Sequence, residues 1–170
     1  DDLLFFANGK AGLEIYNITA PLNARPVANI TSIADARDVI VSDEFAYVSD
    51  NNASVWILDI SDPSSVSVVS HLDVGGSPWG LFLHNELLFV ADYAEGLKIV
   101  DVSDASSPSL VSTFDELNTT AAVYVDEGFA YLATGLFGLV ILDITDLHSP
   151  EVVASFNDGG VSFGVVVQDG

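Results

Sequence analysis

Cysteine and methionine are both absent from the 170 residues, and only 4 lysines and arginines stand against 25 aspartates and glutamates. The first absence excludes a disulfide framework, a thiolate nucleophile and a cysteine metal site, and it leaves the compartment unread. The second has a positional side. The chain enters a strand at Leu3 with neither an initiator nor a signal peptide ahead of it, so it reads as processed or as an excerpt of a longer chain. With so few cations, the net charge is −21. Proteins that bind nucleic acid meet the phosphate backbone with clustered lysine and arginine, so nucleic acid is not an expected partner. Anionic membrane surfaces are disfavoured in the same way. Long apolar runs are missing too: the longest, Leu136 to Leu142, is strand-sized, far short of the ~20 residues of a spanning helix, and no membrane insertion is expected. The acidic excess reads first as a solvated, self-repelling surface, with a salt-rich habitat or a divalent cation as alternatives. No cofactor is expected. Helical periodicity is absent from every 11-residue window.

What is present is repetition. The run Gly138-Leu-Val-Ile-Leu-Asp-Ile-Thr-Asp146 has three earlier copies, beginning at Gly12, Ser54 and Gly96, and the marker residues Ile15, Ile57, Ile99 and Ile141 lie 42 apart each time. A period of 40 to 50 built from short apolar runs is the signature of propeller blades. Three further segments recur at the same spacing: aromatic and branched runs such as Leu3–Ala7 and Phe129–Ala133, outer runs such as Val66 to Leu72 and Val152 to Phe156, and the runs at Val39, Leu81, Val123 and Val165. Each repeat is therefore expected to be four antiparallel strands. In the marker run, Leu97 and Ile99 point to one face and Val100 and Val102 to the other. Both faces are apolar, whereas a sandwich with a wet outer face would alternate. Blades packed face to face cover each other without helices.

The marker runs Leu97-Lys-Ile-Val-Asp101 and Leu139-Val-Ile-Leu-Asp143, with looser copies at Val55 to Asp59 and Leu13 to Asn17, resemble the LVIVD-repeat family of β-propellers. That resemblance implies that the Val39-type runs are innermost, the Leu3-type runs second, the marker runs third and the Val66-type runs outermost. It also implies kinship with secreted or surface proteins of bacteria and archaea, and hence an extracellular or cell-surface location. The predicted fold is an all-β propeller of four 42-residue, four-stranded antiparallel blades, closed or part of a larger ring. It forms one unit over residues 1–170, with repeats at about 2–43, 44–85, 86–127 and 128–169. The ends are complementary: a Val165 to Gln168 run that supplied the innermost strand of the first blade would close the ring, and otherwise the unit joins further blades in a longer chain or a second copy.

Residues that recur at 42 are most simply architectural. The series Asn17, Asp59, Asp101 and Asp143 precedes turns and can bond the backbone two residues on; Asp50 and Asp92 read the same way. His71, His84 and His148 fall on different parts of different blades, so neither a metal site nor a catalytic triad is expected. Residues that break the pattern stand at the entrance to the innermost strands, where Arg37, Trp79, Ala121 and Phe163 are equivalent, as are Asp38, Gly80, Ala122 and Gly164. With Tyr93, Glu95 and Phe137 nearby, Arg37, Asp38, Trp79, Tyr93 and Phe163 form a candidate binding site for a protein or glycan, in a composition typical of interaction hot spots. Alternatively, Trp79 and Phe163 fill the axis. A non-enzymatic extracellular scaffold or interaction module is the expected function. A glycan hydrolase using Asp35, Asp38 and Asp158 is the alternative. Other expected partners are further blades of its own chain or a second copy. Four Asn-x-Ser/Thr sequons occur, at Asn17, Asn29, Asn52 and Asn118. Asn52 and Asn118, in loops, are the candidate glycan acceptors.

Overall fold

The computed structural model describes residues 2–157 and 159–168, and among them every regular element is a strand apart from two 3₁₀ turns at Pro21–Asn23 and Pro63–Ser65. The first sheet holds β1 (Leu3–Ala7), β2 (Leu13–Asn17) and β3 (Arg25–Ile30). The second holds β4 (Ala36–Ser42), β5 (Phe45–Asp50), β6 (Ser54–Asp59) and β7 (Ser67–Asp73). The third holds β8 (Pro78–His84), β9 (Leu87–Asp92), β10 (Gly96–Asp101) and β11 (Ser109–Phe114). The fourth holds β12 (Ala122–Asp126), β13 (Phe129–Ala133), β14 (Leu139–Asp143) and β15 (Glu151–Phe156). Strands follow one another in sequence order within each sheet, and all pairing is antiparallel.

Local chemistry makes each turn the same way. At the end of every marker strand an Asx side chain accepts the N–H two residues on: Asn17 from Thr19, Asp59 from Ser61, Asp101 from Ser103 and Asp143 from Thr145, at 2.9–3.0 Å. At its start, Gly12, Gly96 and Gly138 have φ of +86°, +80° and +79°, and an added Cβ would strike the carbonyl oxygens of Ile30, Phe114 and Phe156. In the second blade Ser54 occupies this place and the left-handed residue is Ala53, at φ +67°. A register shift follows Ile15, Ile57, Ile99 and Ile141 in the pairing of marker and outer strands. One bulge per blade sharpens the twist at the same point.

The sheets stack face to face in chain order. Between the first and second, Leu13 packs with Ala46, Val48 and Leu58. Between the second and third, Tyr47, Val55 and Ile57 meet Leu88, Val90 and Val100. Between the third and fourth, Phe89, Leu97 and Ile99 meet Ala130, Leu132 and Leu142. In the third blade Leu97, Ile99 and Val100 are all 0% exposed, so both faces of the marker strand are dry, at about 1.5–3 kcal/mol per fully buried aliphatic side chain. β4, β8 and β12, the innermost strands, adjoin in that order, and β1, a second strand, adjoins β4.

Two expectations need correction. Residues 163–168 form no strand, so the Val165 run does not pair with β1 and the first sheet has three strands rather than four. Among the described strands β1 is hydrogen-bonded to β2 alone. The stack is an open arc, and the first and fourth blades each leave one face uncovered. Ile141, equivalent to the buried Ile99, is consequently half-covered.

Candidate functional site

The site grows from two buried carboxylates at the ends of second strands. Asp50, 3% exposed, accepts the N–H groups of Ala34, Asp35 and Asn52 at 3.0–3.1 Å. Asp92, 0% exposed, accepts those of Ser77, Ala94 and Glu95 at 2.9 Å. Each carboxylate thus ties the loop entering an innermost strand to the turn that follows the second strand of the same blade. Arg37 and Trp79 follow directly on these loops, as the second residues of β4 and β8, and their positions are set from behind.

In front of this frame the second and third blades are joined by polar contacts. The Asp35 carboxylate accepts from Arg37 Nη2 at 2.9 Å and from Asn51 Nδ2 at 3.1 Å. Asn51 Oδ1 in turn accepts from the Ser77 hydroxyl and from Trp79 Nε1, the latter at 3.3 Å. Trp79 stacks on Tyr93 with centroids 4.5 Å apart and ring planes 22° from parallel. The Arg37 guanidinium lies 5.4 Å from the indole centroid, within cation–π range. A continuous ledge runs Asp35, Arg37, Trp79, Tyr93, with Asn51 and Ser77 beneath it.

Asp38 faces inward instead. Its carboxylate accepts Val39 N–H and Leu81 N–H, each at 2.8 Å, and so clips β4 to β8. The Ser49 hydroxyl repeats the clip by donating to the Trp79 carbonyl at 2.6 Å. Loss of water around Asp38 pushes its carboxyl above the usual carboxylate range, partly offset by the two N–H donors. The turn aspartates Asp59, Asp101 and Asp143 lie below that range, because Ser61, Ser103 and Thr145 donate to the ionised form. In a carboxyl-carbon NMR titration Asp38 should therefore titrate above the ordinary aspartate value and these three below it; the reverse order would place Asp38 in solvent. The linkage signs differ accordingly. Asp38 contributes stability at low pH that is lost as pH rises through its raised value. The turn aspartates contribute stability above the ordinary value that is lost as pH falls through their lowered ones.

Of the residues singled out from sequence, Arg37, Trp79 and Tyr93 come together, Asp38 sits behind them as a clip, and Phe163 does not join. Phe163 is 60% exposed and makes no ring contact with the ledge. Of the hydrolase carboxylates, Asp35 is engaged by Arg37 and Asn51, Asp38 by backbone, and Asp158 lies outside the described residues. His71, His84 and His148 are all exposed and apart; His71 stacks on Trp56 at 4.7 Å. Among the described residues no group of three or more His, Cys, Asp or Glu side chains is placed to hold a metal. Asn52 and Asn118 are exposed, whereas the Asn17 amide oxygen is taken by its turn.

Three features escaped sequence reasoning. Asn51 and Ser77 read as loop residues, and their role appears only when two blades are side by side. Lys98 is 1% exposed, with Nζ 2.6 Å from the Val74 carbonyl oxygen, 2.5 Å from Glu95 Oε2 and 3.7 Å from Asp92 Oδ2. A signal was available, since Lys98 interrupts a marker run whose last copy has Val140. The third is a groove of about 690 Å³ between the second and third blades, lined in part by Phe45, Tyr47, Glu86, Asp104 and Ala105. It exists because Ala105 stands where the fourth blade carries Leu147, which packs against the next core. Burial, with Asp43 and Glu86 near, pushes the Tyr47 phenol upward.

One three-stranded and three four-stranded antiparallel sheets, stacked on apolar faces, define an all-β blade-repeat protein. The LVIVD repeat sequence model matches residues 33–74, 75–116 and 119–158, and the chain belongs to that family. These matched segments begin ahead of an innermost strand and end with an outer one, so they coincide with the second, third and fourth blades. No curated protein matches the sequence. Among solved structures, the chain is similar to the computationally designed Ika8 protein, with TM-score 0.76 and 7% identity over 99% of this chain and 51% of that one. It is equally similar to a functionally unknown protein from Desulfotomaculum acetoxidans, with TM-score 0.76 and 15% identity over 94% and 54%. The chain spans about half the length of both, and at these identities the likeness concerns fold alone.

Proposed function

We propose that the chain is a non-enzymatic interaction module, part of a β-propeller at the cell surface or outside the cell, that meets a protein partner at the Arg37–Trp79–Tyr93 ledge. The observation that carries this reading is the ledge itself. Arginine, tryptophan and tyrosine are the residues on which binding energy concentrates, and here they are held in one arrangement by Asp35, Asn51 and Ser77. Side chains ordered before contact lose less entropy on binding. A protein suits the ledge better than a glycan. Sugars need an open aromatic face, and the indole already spends its stacking contacts on Tyr93 and Arg37. Partner charge follows from the net charge of −21, which steers basic surfaces inward and repels acidic ones. A location outside the cell is supported by the family resemblance and by the exposed sequons at Asn52 and Asn118.

The test is a binding screen of the chain against immobilised basic proteins, acidic proteins and oligosaccharides, repeated with Trp79→Ala and Arg37→Ala. Both variants should keep the parent circular dichroism and lose about 2 kcal/mol or more of binding. Association with the basic partner should also slow as salt is added. If both variants bind as tightly as the parent, contact is made elsewhere. Capture of oligosaccharides alone would replace the protein partner by a glycan.

A further inference from the structure

We propose that the groove between the second and third blades binds a free aliphatic polyamine, its ammonium groups against Asp43, Glu86 and the Tyr47 hydroxyl and its methylene chain along Phe45 and Val102. The groove opens where β4 and β8 end, at the opposite ends of these strands from Arg37 and Trp79, so it is separate from the ledge and does not rest on it. Its defining residues all depart from the repeat at this one interface. Moved on by 42, the same contact between the third and fourth blades has Phe89 for Tyr47, Asn85 for Asp43, Gly128 for Glu86 and Leu147 for Ala105. There Leu147 packs against the core. Here the short Ala105 leaves about 690 Å³ open, and one hydroxyl and two carboxylates are added around the opening.

The state of Tyr47 points to a ligand. It is 6% exposed and lines the groove, and its hydroxyl has no hydrogen-bond partner among the described residues. A phenol so buried is ordinarily hydrogen-bonded, and an ammonium donating to its oxygen supplies the missing bond. Burial, and then the charges of Asp43 and Glu86, push the phenol upward, so both carboxylates are within electrostatic reach of it. Both are exposed, on tight turns at φ +51° and +61°. Asp104 is the third carboxylate, kept ionised by the Ser106 hydroxyl at 2.6 Å and N–H at 2.9 Å. No lysine, arginine or histidine pairs with any of the three among the described residues. The ligand is therefore a cation. The three acids stand on separate turns and, among the described residues, are not grouped to share one metal ion. An extended cation with its charges at intervals reaches them together, and Phe45, Leu83 and Val102 give its methylene groups an apolar wall. The groove is of small-molecule size, within the about 300–1,000 Å³ usual for such sites. A free polyamine brings several charges to it, whereas a lysine side chain brings one on a tethered stem.

Isothermal titration calorimetry of the chain with spermidine and cadaverine tests this, with the uncharged diol matching cadaverine and a trilysine peptide as comparisons. The amines should bind and the diol should not, with affinity falling as salt is added. Tyr47→Phe and Ala105→Leu copy the contact between the third and fourth blades and so should keep the parent circular dichroism. Tyr47→Phe should weaken spermidine binding at least about tenfold, the loss of one hydrogen bond to a charged group. Ala105→Leu should close the groove and abolish binding, as should Asp43→Asn with Glu86→Gln. Asp115→Asn with Glu116→Gln, an exposed pair outside the groove, should bind like the parent. Spermidine that binds Tyr47→Phe and Ala105→Leu as it binds the parent, or that is lost equally in the Asp115 and Glu116 variant, would mean diffuse attraction to a chain of charge −21 and overturn the proposal. So would the absence of amine binding, or capture of trilysine alone, which would give the groove to a basic protein partner.

Discussion

Ile99→Asp should abolish folding. Ile99 is 0% exposed and sits between the third and fourth blades, among Phe89, Leu97, Leu132 and Leu142. Removing a buried isoleucine costs about 2–5 kcal/mol, and an unpaired carboxylate at the same place costs several kcal/mol more. Together these approach the about 5–15 kcal/mol by which a whole domain is stable. No cation is at hand, since Lys98 points to the opposite face of the strand. The same change at the equivalent Ile141 should leave the blades folded, because that side chain is half-covered on an open face. Far-UV circular dichroism with urea titration separates the two. A cooperative transition for Ile99→Asp near that of the parent would mean the third and fourth blades do not pack as described.

Asp92→Ala should be the most damaging change near the ledge. The substitution strips the acceptor from three backbone N–H groups at 2.9 Å and leaves the buried Lys98 ammonium with Glu95 and one carbonyl. Breaking a buried pair from one side costs about 3–5 kcal/mol, and each stranded donor adds to it. Ser77 and Tyr93 flank the lost carboxylate, so the Trp79–Tyr93 stack should loosen with it. The measurement is a denaturant melt followed by tryptophan fluorescence, with Trp56→Phe as background so that Trp79 alone reports. Asp92→Asn keeps one acceptor oxygen and should fall between parent and Asp92→Ala. A stability change under about 1 kcal/mol would show that the buried carboxylate does not organise the loop.

What could be read in the sequence was whatever repeats. The spacing of Ile15, Ile57, Ile99 and Ile141 carried the strand order and the doubly apolar marker strand. The Asx turns at Asn17, Asp59, Asp101 and Asp143 followed from residue chemistry two positions apart. What could not be read depends on the gap between neighbouring blades. Asn51 contacts Ser77 and Trp79, 26 and 28 residues away, only because two loops are brought together by the stack. Asp38 reads as a candidate binding residue beside Arg37, yet it reaches Leu81 across the innermost strands. The Val165 run had the right composition for a first-blade strand. Composition does not say whether that run finds a strand to pair with, and here it does not.

Residue-resolved amide exchange is the most direct test of the blade stack itself. The slowest amides should fall in β5, β6, β9 and β10, where strands are paired on both sides and buried on both faces. Protection should recur every 42 residues, and the outer strands β7, β11 and β15 should exchange faster. Marker strands in which alternate residues exchange freely, or protection with no 42-residue recurrence, would contradict a stack of blades covered on both faces.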